Sequence, residues 1–228
     1  RRYAVDTGFI VFNDRNYPNF IRLMTELNVS QKKTTMGFSV SDSQSSLEYS
    51  GRNLNTIFAQ RRNLFSRSFL TMLKDIIRFN RQATNDLLTE QIDPSDTLSS
   101  YLKKNRYSSS FIDQYLIAMG SAIWSADWDN VLEFPAIFFV SFFHNHGLLS
   151  IRNRPQWYVI QGGSREYLAP LISRFRDNIL TNCRVKSVSR EEKDNVRVQV
   201  ESGKTYFFDQ IVIATHSDQA LKILEDPC

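Results

Sequence analysis

The sequence predicts a mixed helix-and-strand protein, α+β to α/β, with a mostly helical middle and a strand-rich final third. Three observations carry this. Between about residues 66 and 147, apolar residues recur at helical spacing. Beyond Pro155 the pattern turns to short strands, where Val196, Val198 and Val200 alternate with Arg197, Gln199 and Glu201. Ile211-Val212-Ile213-Ala214 is a continuous apolar run, which suits a strand buried on both faces of a parallel sheet.

The elements follow in order. Residues 1–16 read as strand-like, through Asp6-Thr7-Gly8 into Phe9-Ile10-Val11-Phe12. Pro18 suits a first helical position; Phe20, Ile21, Met24 and Leu27 then share a face, and Asn28 suits a left-handed stop. Phe38 and Val40, then Leu47 and Tyr49, mark two half-buried strands, with Gly51 turning after the second. A long amphipathic helix is expected over Ser66–Leu88, with Phe69, Leu70, Leu73, Ile76, Ile77 and Leu88 on its apolar side. Asp96 is the expected cap of a short helix carrying Leu98, Tyr101 and Leu102. Helices over about Ser109–Ala122 and Pro135–Gly147 complete the middle. In the last third, Trp157–Ile160 is a strand and Ser164 is placed to cap a helix carrying Tyr167, Leu168, Leu171 and Phe175. Further strands are expected at Arg184–Arg190, Val196–Glu201, Thr205–Phe208 and Ile211–Thr215, with a hairpin turn at Ser202-Gly203-Lys204 and a last helix carrying Ala220, Leu221 and Leu224. A buried parallel strand at Ile211 needs parallel neighbours, and the sequence supplies none; either a partner provides them or the chain is part of a longer one.

Composition narrows the function. A chain of 228 residues with 42% hydrophobic residues can bury a real core. No stretch reaches the ~18–20 apolar residues of a membrane span. The chain starts at Arg1 without an initiator Met or a signal-peptide pattern, as expected of a processed chain or one beginning mid-protein. The net charge of +4 gathers around Arg61, Arg62, Arg67, Lys74, Arg78 and Arg81. That helix is either a solvated face or a surface for anions, which makes peripheral membrane contact an open expectation. No nucleic-acid signature accompanies it, so nucleic acid is not an expected partner. Cys183, in a likely strand, and the terminal Cys228 make no disulfide framework or C-x-x-C pair. A reducing, cytoplasmic setting is therefore expected, with no metal site.

Several segments bear on chemistry. Neither G-x-G-x-x-G nor a Walker A loop, H-E-x-x-H or G-x-S-x-G is present, so hydrolase and NTPase readings lack support. Gly162-Gly163-Ser164 follows a strand: paired glycines let a flat ligand or a phosphate approach the backbone, or simply make a tight turn. His144 and His146 end the aromatic helix, with His216 far away in sequence, as a helix terminus, a pocket wall or a metal pair short of a third ligand. Phe134, Phe138, Phe139, Phe142 and Phe143 make core, the wall of an apolar tunnel, or both. Trp124 and Trp128, in the connection between two helices, close a pocket or pack.

Taken together, Val5-Asp6-Thr7-Gly8-Phe9, Ile160-Gln161-Gly162-Gly163-Ser164, Val185 to Val188 and Phe208-Asp209-Gln210-Ile211-Val212-Ile213-Ala214-Thr215 resemble, in the same order, cofactor-domain segments of flavin-containing amine oxidases, phytoene desaturases and protoporphyrinogen oxidases. The chain resembles more closely still a bacterial branch of predicted NAD/FAD-binding proteins, through Val5–Asn13, Ala122-Ile123-Trp124-Ser125, His146-Gly147-Leu148-Leu149 and Gly162–Tyr167. The resemblance spans nearly the whole chain. It implies a Rossmann-like FAD-binding domain of the glutathione-reductase type, present in part as residues 1–16 and 155–228, and a helical substrate domain over residues 17–154. It further implies that a G-x-G-x-x-G unit precedes Arg1, that a closing segment follows Cys228, and that the chain alone binds FAD weakly and is inactive. The implied activity is hydride transfer from an apolar or amine substrate, a lipid-like one included, to FAD. Gly8, Phe9, Gly162, Gly163, Val185, Ala214 and Thr215 would lie at the cofactor, and Trp124, Ser125 and His146 at the substrate. No catalytic base is assigned. The alternative is a non-catalytic binding module that has lost its nucleotide-binding front.

Overall fold

In the computed structural model, which describes residues 5–43, 45–150, 154–191 and 195–227, contacts divide the chain into two units, Arg1–Leu171 and Ile172–Cys228. In the first unit, β1 (Phe12–Asn13) leads into α1 (Pro18–Glu26). The expected strand character of residues 1–16 is corrected here. Pairing is confined to Phe12 and Asn13, and Val5–Val11 form no strand. The Asn13 Oδ1 accepts from the amides of Arg15 and Asn16, both at 2.9 Å, which turns the chain at once into the helix. Pro18 is the first helical residue, and Asn28 takes the left-handed conformation at φ 55°.

A strand not foreseen in the sequence, β2 (Gln31–Thr34), follows; its polar Gln-Lys-Lys-Thr carries no apolar alternation. β3 (Ser39–Asp42) and β4 (Leu47–Ser50) make an antiparallel hairpin that buries Leu47 and Tyr49. The short α2 (Leu54–Ile57), with an Asn53 capping box, and a 3-10 turn (Arg61–Phe65) precede α3 (Arg67–Leu88). Ser66, read from the sequence as the first residue of this helix, is its N-cap, and its side chain accepts from the Phe69 amide. The buried face of α3 is shifted from the one expected: Phe69, Met72, Phe79 and Ala83 are buried, while Leu70, Ile77 and Leu88 are exposed. A strict 3.6-residue count through Phe69 selects this set, whereas counting every apolar residue admits both sides.

α4 (Leu98–Lys104) is capped by Thr97, whose side chain accepts from the Ser100 amide. This corrects the expectation for Asp96: its carboxylate accepts from Ser100 Oγ and from Lys104 Nζ instead. The helix expected over Ser109–Ala122 is three pieces: α5 (Ser109–Phe111), a π-helical stretch (Ile112–Ile117) and α6 (Ala118–Trp124). α7 (Trp128–Leu132) and α8 (Ala136–Asn145) complete the helical part. Its core gathers Phe79, Phe111, Leu116, Ile117, Val131 and Phe139, all fully buried.

β5 (Trp157–Ile160) returns to the start of the chain. It is the central strand of an antiparallel sheet ordered β1-β5-β2, with Tyr158 opposite both Phe12 and Lys33. Phe12, Met24 and Ile160 are the buried centre beneath it, with Tyr17, Phe20 and Tyr167 packed around them. Ser164 is not a cap, contrary to expectation. Gly163 holds the cap position of a 3-10 turn (Ser164–Tyr167), which continues into α9 (Leu168–Ile172); Tyr167 sits in the turn and Phe175 beyond the helix.

In the second unit, β6 (Val185–Arg190), β7 (Val196–Val200) and β8 (Thr205–Phe208) form an antiparallel meander, with Gly203 at φ 86° turning β7 into β8. Cys183 precedes β6 and is not in a strand. α10 (Ser217–Ile223) packs on β6, and the following Leu224 bridges to Val188. The expected buried strand at Ile211–Thr215 is not formed. The run has no partner strand among the described residues, and Val212 is 91% exposed. Every ladder among the described residues is antiparallel, so this run finds no parallel neighbour to bury it.

Candidate functional site

Two segments far apart in sequence meet through Asp6. The Ser164 amide donates to both carboxylate oxygens of Asp6, at 3.0 Å each, and the Ser164 hydroxyl donates to the Phe9 carbonyl at 3.2 Å. The backbone around this clasp is shaped by residues in unusual conformations. Gly162 and Gly163 have φ of 90° and 100°, and Phe9 has φ 47°. A side chain at Gly163 would be strained, and its Cβ would stand 3.2 Å from Asp6 Oδ1. Phe9, a non-glycine residue in the left-handed region, costs conformational energy. Edge-on contacts with Phe20 at 4.7 Å and Tyr17 at 5.7 Å hold its ring. No atom lies within 4 Å of where a Gly8 Cβ would be, so backbone faces open space there.

Aromatic rings continue from this clasp. Tyr17 contacts His146 at 6.4 Å, His146 stacks on Phe142 at 4.0 Å, and Phe142 meets Trp124 at 4.8 Å. Trp124 also touches Phe134, Phe138, Phe139 and Phe143. The His146 Nδ1 lies 2.9 Å from the Phe142 carbonyl. That oxygen can only accept, so Nδ1 carries the hydrogen, and a neutral ring has Nε2 as its acceptor. The Asn16 side chain donates to the Asn145 carbonyl at 3.0 Å, fixing the end of α8 beside the turn after β1. Trp124 ends α6 and Ser125, at φ 49°, is exposed beyond it.

The sequence-predicted residues therefore fall into two groups. Gly8, Phe9, Gly162, Gly163, Trp124, Ser125 and His146 lie in the first unit; the ring contacts above join Phe9, His146 and Trp124, and Gly163 lies against Asp6, while none of these contacts involves Gly8, Gly162 or Ser125. Val185, Ala214 and Thr215 lie in the second unit: Val185 begins β6 opposite Val200, while Ala214 and Thr215 are exposed in the unpaired run before α10. Sequence reasoning missed Asp6, Tyr17 and Phe142 as connectors. Asp6 left a faint signal, a carboxylate two residues before Gly8; the ring contacts left none. A broad polar depression lined by Asp42, Glu48, Gln60 and Arg62 involves none of the candidate residues. Among the described residues no three His, Cys, Asp or Glu side chains gather as a metal set.

The chain belongs to the flavin-containing amine oxidoreductase family, whose sequence model matches residues 2–227. The FAD expectation stands with that membership. Among solved structures, cyclohexylamine oxidase from Brevibacterium oxydans superposes with a TM-score of 0.66 at 15% identity, over 97% of this chain and 49% of that one. A putrescine oxidase redesigned in its cofactor binding gives 0.63 at 13% identity, over 98% and 50%. A fatty acid isomerase from P. acnes gives 0.56 at 11% identity, over 100% and 52%. At these identities the likeness is one of fold, and the chain spans about half the length of these structures. No curated protein matches the chain. No helix among the described residues is long and apolar enough to cross a membrane.

Proposed function

We propose that the protein is an FAD-dependent oxidoreductase of the amine oxidase type, oxidising an amine or another largely apolar small molecule in a reducing, cytoplasmic setting. The observation that carries this reading is the Asp6–Ser164 clasp, which ties the segment carrying Gly8 and Phe9 to the one carrying Gly162 and Gly163. Such a juncture suits the approach of a planar ring on the Gly8 side, where nothing lies within 4 Å of the position a side chain would take. When bound, FAD would supply the hydride acceptor for this chemistry.

The chain's own residues do the rest. Asp6 holds the two glycine segments in register. Phe9, locked by Phe20 and Tyr17, offers a rigid apolar edge. Trp124 and His146, joined through Phe142, form the wall that orients the substrate and keeps water away, with Ser125 at its rim. On this reading residues 1–16 and 155–228 belong to the cofactor domain, 17–154 form the substrate domain, and Val185, Ala214 and Thr215 are cofactor-binding residues. The 228-residue chain by itself binds FAD weakly and does not turn over; the exposure of Val212 and the lack of a G-x-G-x-x-G unit in the sequence support this. Amine substrates are favoured by the activities named for cyclohexylamine and putrescine oxidases.

The test is anaerobic mixing of the protein from the complete reading frame with a panel of primary amines and apolar alkenes. Bleaching of the flavin absorbance by a panel member is expected. A folded protein that cannot be reconstituted with FAD would contradict the reading.

A further inference from the structure

The outer face of α3 carries a pattern that the flavin reading does not use. Arg67, Leu70, Lys74, Ile77, Arg81 and Leu88 are all exposed. At 3.6 residues per turn they fall within roughly 80° of arc along about 30 Å of helix. The other exposed positions of the helix, Ser68, Thr71 and Asn85, are neutral. Neither carboxylate of the helix shares this face. Asp75 is buried and pairs with Arg78 and the Ser108 amide, and Asp86 accepts from the Tyr101 hydroxyl. Arg67, Lys74 and Arg81 make no ion pair among the described residues. Immediately before the helix, Leu64 is exposed and Phe65 is 89% exposed, beside Arg61 and Arg62.

An ordinary solvated face mixes both signs of charge and carries few large apolar side chains. A nucleic-acid surface wants the cations but has little use for Leu70, Ile77 and Leu88. Cations interleaved with apolar side chains, with no carboxylate among them, complement an anionic leaflet. There, headgroup charge lies over an acyl boundary.

We propose that α3 is a docking surface for anionic phospholipid, with Arg67, Lys74 and Arg81 at the headgroups and Leu70, Ile77 and Phe65 reaching the acyl boundary. This inference is independent of the flavin reading, since none of these residues belongs to the candidate cofactor or substrate site.

Flotation of the protein from the complete reading frame with vesicles tests it. Vesicles of phosphatidylcholine and phosphatidylglycerol in equal parts should bind it at low salt and release it at high salt, and pure phosphatidylcholine should not bind. Replacing Arg67, Lys74 and Arg81 together by Gln should lower partitioning on the order of 100-fold, and Lys74→Gln alone about fivefold. Both should leave circular dichroism unchanged. Leu70→Ser with Ile77→Ser should weaken binding while keeping its salt dependence. Absence of binding to the anionic vesicles would overturn the proposal. So would binding undiminished by the charge variants or by the Leu70 and Ile77 pair, or displacement of vesicles by duplex nucleic acid at equal charge.

Discussion

The carboxylate of Asp6 is gripped by one amide, that of Ser164, whose N–H points between its two oxygens at 3.0 Å from each across 158 residues of chain. A hydrogen bond to a charged acceptor contributes about 1.5–3 kcal/mol. Asp6→Ala should therefore loosen the juncture by that order, seen as faster hydrogen exchange of the Ser164 amide. Asp6→Asn keeps one acceptor and should lie between. An Asp6→Ala protein with unchanged Ser164 protection would show that the contact is incidental.

Gly163→Ala should be more damaging than its small volume suggests. It forces φ near 100° on a residue with a Cβ, and that Cβ presses on Asp6 Oδ1. About 1–3 kcal/mol is the scale for such strain. Chemical denaturation read against Gly51→Ala, where the nearest atom to the added Cβ is 3.8 Å away, provides the comparison.

How much of this was legible in the sequence differs between elements. α1 was readable to its ends because Pro18 and Asn28 mark them chemically. The β6–β8 meander was readable because strict alternation at Val196, Val198 and Val200 has one structural meaning. β2 was hidden, since Gln31–Thr34 is polar and is recruited by β5 from far along the chain. Ile211–Ala214 misled for the opposite reason. Its apolar run states what it needs, buried neighbours, and the described residues do not supply them. At the site, Gly162 and Gly163 were legible as paired glycines. The ring path from Phe9 to Trp124 was not, because side-chain contacts between distant segments leave no period in the sequence.

Gly120 sits at the crossing of α6 with α7 and α8. An added methyl would lie 2.9 Å from Val131 Cγ1 and 3.2 Å from Phe139 Cε2, and both side chains are fully buried. Overpacking costs ~1–3 kcal/mol and outweighs the roughly 1 kcal/mol that Ala gains in a helix. Gly120→Ala should lower the denaturation midpoint; a raised midpoint would mean that α6 and α8 separate easily.

The helical core should fail in alkali. Burial pushes Tyr107 and Tyr115 up to about 12, and burial, above all, raises Tyr49 and Tyr101 as well. Each folded value is above the unfolded one near 10. This contribution is complete below pH 10 and is lost as pH climbs through the raised values. Unfolding free energy should fall steeply between pH 10 and 12, and less steeply in Tyr115→Phe. Tyrosinate absorbance should rise in two stages, the second coinciding with unfolding.

Trp124 is bound into five phenylalanine contacts, so its removal touches stability as well as any pocket. Trp124→Ala should cost on the order of 3 kcal/mol. Trp124→Phe should keep the fold while slowing turnover and leaving flavin content unchanged. Equal turnover in the Phe variant would remove Trp124 from the substrate wall.

The most direct measurement is flavin content, by visible absorbance, of the protein from the complete reading frame, set beside its Asp6→Ala variant. A stoichiometric flavin in the parent that bleaches under anaerobic reductant and is largely lost from the folded variant is expected. A parent that is folded, colourless and refractory to FAD, or a variant that keeps its flavin in full, would contradict the role given to the Asp6–Ser164 juncture.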